Sequence, residues 1–263
     1  MDVFESVDRA YLRDAVVHAG HQLRGFAPSR RLSKLHAAMR VLGVDPEALP
    51  PDPPVAPGGW GSLAEVIRSD RPLPEDRASL ERFHAHLLEI GAAPARELWQ
   101  RLPVPGPLLD LGGGAGAYTK AFLEARPGEQ ATLADRPEVL RLAQAPGATL
   151  LGADILNISH NIRYNAALLA NVLHLFGPVQ IVQIVRLVQK VLNPGGVLIV
   201  KDLRSDTDEG VLFALNMALY TAQGDVHPPE SIEQWLREAG FGAIRRLSLQ
   251  ASPNSLVLTA TKP

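Results

Sequence analysis

The residues with the clearest capacity for chemistry lie in Leu108-Leu109-Asp110-Leu111-Gly112-Gly113-Gly114-Ala115-Gly116-Ala117-Tyr118-Thr119, where an apolar strand pattern runs into a glycine-dense turn and then a helical pattern. Glycines there permit positive φ and let a ligand approach the backbone without meeting a Cβ. The following helix offers N–H groups that lack an intrahelical partner. A tight strand-to-helix turn with no ligand fits the same string, because such turns occur in many folds. Two acids add to it. Asp135 ends the next apolar run, 21 residues beyond Gly114, where nucleotide-type folds place a carboxylate on ribose hydroxyls. Asp154 follows the third run, in Gly152-Ala153-Asp154-Ile155. Each acid alone also reads as a solvated loop residue or a helix N-cap. Three such features at successive carboxyl ends of parallel strands point to a ligand-binding edge.

Metal and thiol chemistry find little support. The chain has no cysteine, which excludes disulfides, Cys-ligated zinc, iron–sulfur clusters and thiolate nucleophiles. His84 and His86 stand at i and i+2, so a helix turns them to different faces. His18 and His21 share a face at i and i+3, but no third ligand accompanies them, so they read as surface histidines and no metal is expected. His227, in Gly224-Asp225-Val226-His227-Pro228-Pro229, precedes a helix, and either a substrate-facing role or plain loop placement explains it.

These residues need elements to hold them, and the chain changes character near residue 105. Its 263 residues are 46% hydrophobic, enough for one large domain or a catalytic domain with an accessory piece. Residues 1–104 read as a helical accessory domain ahead of a second domain at 105–263: the first hundred show no strand pattern, and helical spacing runs from Val3 to Leu23, Arg30 to Leu42, Ser62 to Ile67 and Glu75 to Leu102. Gly91 and Pro94 are expected to kink or split the last helix. Six prolines between 46 and 57 make the stretch 45–60 a surface connection or extended arm.

Residues 105–263 alternate short apolar runs with helix-period segments. Strands are expected at Leu108–Leu111, Ala131–Ala134, Thr149–Leu151, Ala166–Ala170 and Val197–Val200, apolar on both faces as in a covered parallel sheet. Helices are expected at Ala117–Ala125, Pro137–Gln144, Val179–Leu192, Gly210–Ala222 and Pro229–Ala239. The third of these is rich in β-branched residues, yet its polar positions recur every three to four residues, which favours helix; Pro194-Gly195-Gly196 then ends it. Ala243–Leu249 and Ser255–Thr261 lie too close for a helical crossover and should pair antiparallel.

This ordered set resembles class I S-adenosylmethionine-dependent methyltransferases. Besides Leu109 to Gly116, Asp135 and Gly152 to Ile155, the likeness takes in Asn171-Val172-Leu173-His174, Leu192 to Val200, Trp235 to Phe241 and the terminal hairpin. It covers about residues 80–263 and is strongest to small-molecule O-methyltransferases of secondary metabolism with an N-terminal helical dimerisation domain. The resemblance implies a Rossmann-like seven-stranded sheet, mostly parallel with an antiparallel C-terminal strand, and S-adenosylmethionine as cofactor. It implies that Gly112, Gly114 and Gly116 wrap the methionine end, with Asp110 orienting the amino group and Asn171 close to the same moiety. Asp135 would hold the ribose, and Asp154 with Ile155 would border the adenine. A dinucleotide-dependent dehydrogenase shares the glycines but lacks the antiparallel C-terminal pair.

In the family a histidine after the fourth strand, often in His-Asp-Trp, deprotonates the substrate hydroxyl. Here the string is His174-Leu175-Phe176, so the position is kept while the Asp-Trp is missing. Imidazole titrates near neutral pH and suits a phenol; a helix-capping or packed role is the competing reading. Asp202 closes the fifth strand, where relatives place an acid that steadies the histidine, and an exposed strand-end charge explains it equally. The expectation is metal-free SN2 transfer to a hydroxyl of a small aromatic molecule. A nitrogen or carbon acceptor, or a cofactor-binding subunit without catalysis, remains open.

Lys and Arg total 26 against 28 Asp and Glu, a formal charge of -2 with no overall pull toward nucleic acid or an anionic membrane. No apolar run reaches membrane-spanning length, and the acidic start does not read as a signal peptide. A cytoplasmic homodimer with a small-molecule methyl acceptor is therefore expected, the dimer by resemblance.

Overall fold

The computed structural model describes residues 9–56, 58–74, 77–158 and 162–263. The first expected helix thus lies partly outside the described residues, at 3–8, as do Pro57, Glu75 and Asp76. Helical spacing yields α1 (Arg9–Gln22), α2 (Arg30–Val41) and α3 (Leu63–Ser69). Ser29 starts α2 by accepting the Leu32 N–H at 3.1 Å, as an N-cap serine does. The described residues of the proline stretch form neither helix nor strand before a 3-10 turn at Gly59–Ser62 that buries Trp60. It is fastened to α1: His21 Nε2 meets the Pro50 carbonyl at 2.7 Å, and His18 Nδ1 meets Asp52 Oδ1 at 2.9 Å. The shared face of these two histidines thus holds the arm.

α4 (Arg77–Arg101) is one continuous helix with Pro94 inside it, so Gly91 and Pro94 do not split it. Gly91 is a close-approach point: a Cβ there would lie 3.1 Å from that of Ala117, on the next helix. Ala95, Leu98 and Trp99 bury themselves against sheet residues such as Leu108 and Leu168, which anchors the helix beyond the proline.

Seven strands follow: β1 (Leu108–Leu111), β2 (Ala131–Asp135), β3 (Thr149–Gly152), β4 (Tyr164–Ala170), β5 (Leu192–Leu203), β6 (Gly242–Leu249) and β7 (Ser252–Thr261). They form one sheet in the order β3-β2-β1-β4-β5-β7-β6. β1 to β5 pair in parallel, while β7 is antiparallel to both its neighbours. The order of winding switches between β1 and β4, and in open α/β sheets the carboxyl ends at such a switch point are where ligands bind.

One face of the sheet is covered by α4 and α5 (Ala117–Ala125), whose Tyr118, Ala121 and Phe122 join the core. α7 (Pro178–Val191) and α9 (Pro229–Glu238) pack on each other, α7 against β5 and α9 against β6. α7 is a helix as its polar spacing requires, but it ends before the Pro-Gly-Gly string, which lies within β5. α6 is only Pro137–Leu140. Its expected continuation is lost because Gln144 N–H donates to the Ala115 carbonyl at 2.8 Å, a tertiary bond that replaces further helical turns. β3 is an exposed edge strand with Leu150 half in solvent, not the doubly covered strand its apolar run suggested.

The chain forms two compact units whose membership departs from a single cut at 104/105. One holds the described residues of Met1–Glu75 with His174–Phe176 and Ser205–Val226; the other holds the described residues of Asp76–Leu173 with Gly177–Arg204 and His227–Pro263. Two helices account for the difference. α4 belongs to the sheet for the packing reasons above, while α8 (Asp208–Tyr220) packs against α2. Arg31 of α2, buried, donates to the carbonyls of Ala218, Thr221 and Ala222 at the end of α8.

Candidate functional site

The glycine turn after β1 is built by packing first. A Cβ on Gly113 would lie 2.2 Å from Leu133 Cδ1 and 2.7 Å from Asp110 Cγ, so only glycine passes there whether or not a ligand binds. Gly114 adopts φ 58°, and its N–H donates to Asp135 Oδ2 at 2.8 Å. The ring of His84, on α4, stands 3.4 Å from where a Gly114 side chain would begin. Gly112 and Gly116 complete the loop, and Gly116 N–H closes it on the Gly113 carbonyl at 3.0 Å.

Asp110 carries the strongest chemical signal. It is fully buried on β1, its Oδ2 accepts from Thr119 Oγ1 at 2.6 Å, and its Oδ1 has no hydrogen-bond partner among the described residues. Burial pushes its carboxyl up to about 7; the Thr119 bonds oppose that rise and the nearby Asp135 charge adds to it. A buried acceptor with nothing to accept calls for explanation, and a donor brought by a ligand provides one.

Asp135, at the end of β2, receives the Gly114 N–H on Oδ2 and the Arg136 N–H on Oδ1. It thus braces the glycine loop while its remaining lone pairs stay open to a diol. Asp154 is exposed after β3 and organises its own turn, accepting from Leu156 N–H and Asn157 Nδ2, both at 3.0 Å. Ile155 Cδ1 lies 3.5 Å from where a Gly112 Cβ would stand, which brings the segment after β3 against the loop after β1. Asn171 follows β4 at φ 57°, an uncommon backbone state that asparagine tolerates. Its N–H donates to the Lys201 carbonyl at 2.7 Å, and its Oδ1 accepts from Lys201 Nζ at 2.9 Å.

The expected cofactor residues therefore all stand on the carboxyl edge of one unit, spread over β1, β2, β3 and β4. His174 belongs to the other unit. It is buried in a 3-10 turn, with its ring edge-on to Phe213 at 4.9 Å between centroids and its carbonyl accepting the Asp225 N–H at 2.9 Å. Asp202 is buried on β5, where Oδ1 accepts the Leu203 N–H at 2.8 Å. His227 is buried edge-on to Trp235 at 5.1 Å. Among the described residues no group of three or more His, Cys, Asp or Glu is placed to hold a metal ion. Lys201, Thr119 and Phe213 carry no role in the sequence reading, and His84 enters it only as a metal candidate set aside. Lys201 had a readable signal, a lysine interrupting an apolar strand just before its end; the others depend on how α4, α5 and α8 pack.

The sheet order, with one antiparallel strand in an otherwise parallel set and a glycine turn at the switch point, defines the class: a methyltransferase-type α/β fold. The chain belongs to the O-methyltransferase domain family, whose profile matches residues 92–242. Among curated relatives, it is 27% identical over 222 residues to the 3-hydroxy-5-methyl-1-naphthoate 3-O-methyltransferase of Streptomyces sahachiroi, covering 75% of this chain and 64% of that one. It is also 27% identical over 162 residues to the tetracenomycin polyketide synthesis 8-O-methyl transferase of Streptomyces glaucescens, covering 57% and 48%. The chain thus spans less than two thirds of the length of these relatives. Human N-acetylserotonin methyltransferase, solved in complex with SAM, superposes with a TM-score of 0.66 at 24% identity over 77% of this chain and 66% of that one. An O-methyltransferase family 2 protein of Planctomyces limnophilus, solved with apigenin, gives 0.69 at 21% identity over 100% and 97%. These structural likenesses speak to the fold.

Proposed function

We propose that the protein is an S-adenosylmethionine-dependent methyltransferase acting on a hydroxyl of a small aromatic molecule, with His174 as general base. The observation that carries the cofactor assignment is the buried Asp110 with its unused Oδ1 beneath the glycine loop. A ligand ammonium would supply the missing donor, Asp135 would take ribose hydroxyls, and Asp154 with Ile155 would border an adenine. The residues fit this group from one end to the other. When bound, S-adenosylmethionine supplies an electrophilic methyl group on a sulfonium.

The protein's own part is to hold and deprotonate the acceptor. His174, buried and fixed by Phe213, is the base of this reading; a neutral imidazole takes the hydroxyl proton as oxygen attacks. Holding that oxygen in line supplies much of the rate. Asp202 is assigned to steadying the resulting charge. The aromatic hydroxyl is supported by the names of the two Streptomyces relatives, both O-methyltransferases. A cytoplasmic setting and homodimerisation belong to the same proposal, and none of the described helices is long and apolar enough to cross a membrane.

Calorimetry tests the assignment. S-Adenosylmethionine and S-adenosylhomocysteine are expected to bind and NAD is not; binding of NAD alone would overturn it.

A further inference from the structure

Lys201 stands at the carboxyl end of β5, buried to 7% exposure. Strand register fixes which way it faces. Ala170 of β4 pairs with Lys201 and Leu168 pairs with Ile199, while Leu168 also pairs with Asp110 of β1. Paired residues share a face, and every second residue returns to it. Asp110 and Lys201 therefore project from the same face, the one α4 and α5 cover, at the same carboxyl edge. Their Cα atoms stand two strands apart and two residues offset along the strand, roughly 12 Å.

A buried ammonium is costly unless something compensates it. Lys201 Nζ has three protons to donate, and among the described residues a single acceptor takes one, the neutral Asn171 Oδ1. Asp202 is next in sequence but alternates to the opposite face. Burial outweighs the attraction of Asp202 and lowers the Lys201 ammonium to about 8. The lysine is also held in place, since its carbonyl accepts the Asn171 N–H while its ammonium donates to Asn171 Oδ1.

We infer that Lys201 is the cation that receives the carboxylate of the cofactor's methionine portion, while Asp110 Oδ1 receives its ammonium. The inference deepens the cofactor reading above and rests on it. An amino-acid group carries one positive and one negative charge on a single carbon. This face of the sheet offers a buried acid with an open acceptor and a buried cation with donors to spare. Charge-assisted hydrogen bonds in such a site are the strong ones.

The test compares S-adenosylhomocysteine with its decarboxylated analogue, in which hydrogen replaces the carboxylate, by calorimetry on the full chain. The unmodified protein at pH 7 is expected to prefer the carboxylate form by roughly tenfold to a hundredfold. Lys201→Met should bring that preference close to one, with binding of the analogue little changed. Where Lys201→Met does not fold, the unmodified protein still decides the matter. Its preference should fall by about tenfold between pH 7 and pH 9 as the ammonium deprotonates. A preference that survives Lys201→Met, or stays flat with pH, overturns the role of Lys201 while leaving the cofactor reading intact. No binding of S-adenosylhomocysteine at all overturns the cofactor reading first, and this inference with it.

Discussion

The Gly114 N–H donates to Asp135 Oδ2 at 2.8 Å, which ties the loop after β1 to the end of β2 across 21 positions of chain. Asp135 thus shapes the loop, and in the proposed reading the same carboxylate receives the ribose hydroxyls. Asp135→Asn keeps the size but replaces one oxygen with a donor that opposes the Arg136 or Gly114 N–H. It is expected to weaken S-adenosylhomocysteine binding by roughly tenfold, at about 1–2 kcal/mol for a mismatched, partly buried hydrogen-bonding group. Calorimetry on the variant checks this, with circular dichroism to confirm the fold.

Asp110 should make stability depend on pH. Its folded carboxyl, at about 7, is raised above the ordinary 3.8, so the folded chain keeps a proton that the unfolded chain releases. The stabilisation this gives is fully present below about 4 and is lost as pH rises through 7. Asp110→Asn, which needs no proton, is expected to be more stable than the parent at pH 8, by up to a few kcal/mol. The gap should close at pH 4. Thermal unfolding of ligand-free protein at both pH values measures it.

The same carboxyl predicts a pH dependence of binding. A ligand ammonium favours ionised Asp110, so binding expels the proton that the free protein holds below pH 7. Affinity for S-adenosylhomocysteine should then climb by up to about tenfold per pH unit as pH approaches 7 from below. Asp110→Asn should flatten that acid limb.

Arg31 links α2 to the end of α8. Its side chain is buried, pairs with Asp70 Oδ1 at 2.6 Å and feeds several carbonyls between 218 and 222. Asp70 is exposed, so its loss of a partner costs little; Arg31→Ala strands the carbonyls and is expected to cost about 1–3 kcal/mol. Chemical denaturation gives the value, and a loss below about 1 kcal/mol would show that water replaces the guanidinium.

Much of the sheet was legible because its signals are local. Strand, glycine turn and helix sit within Leu108–Thr119, and the spacing to Asp135 follows from one helical crossover. Residues whose role comes from distant packing were not legible. Lys201 matters through its register with Ala170, and His174 is framed by Phe213 of α8, some forty positions later. The shortened α6 and the uninterrupted α4 have the same origin: contacts with Ala115 and Ala117 override local propensity. Which unit α4 and α8 join is not legible either, because helical periodicity does not say which core a helix packs into.

The base is tested by His174→Ala. Turnover is expected to fall by about 10²–10⁴-fold, the usual contribution of a general base, with S-adenosylhomocysteine affinity nearly unchanged. Full activity would remove His174 from the mechanism.

The most direct measurement of the central claim is transfer of a labelled methyl group from S-adenosylmethionine to a panel of phenols and amines, read by mass spectrometry. The expected result is label on a phenolic oxygen, with one S-adenosylhomocysteine formed per methyl transferred. Label only on nitrogen or carbon, or no label while the cofactor demonstrably binds, would contradict it.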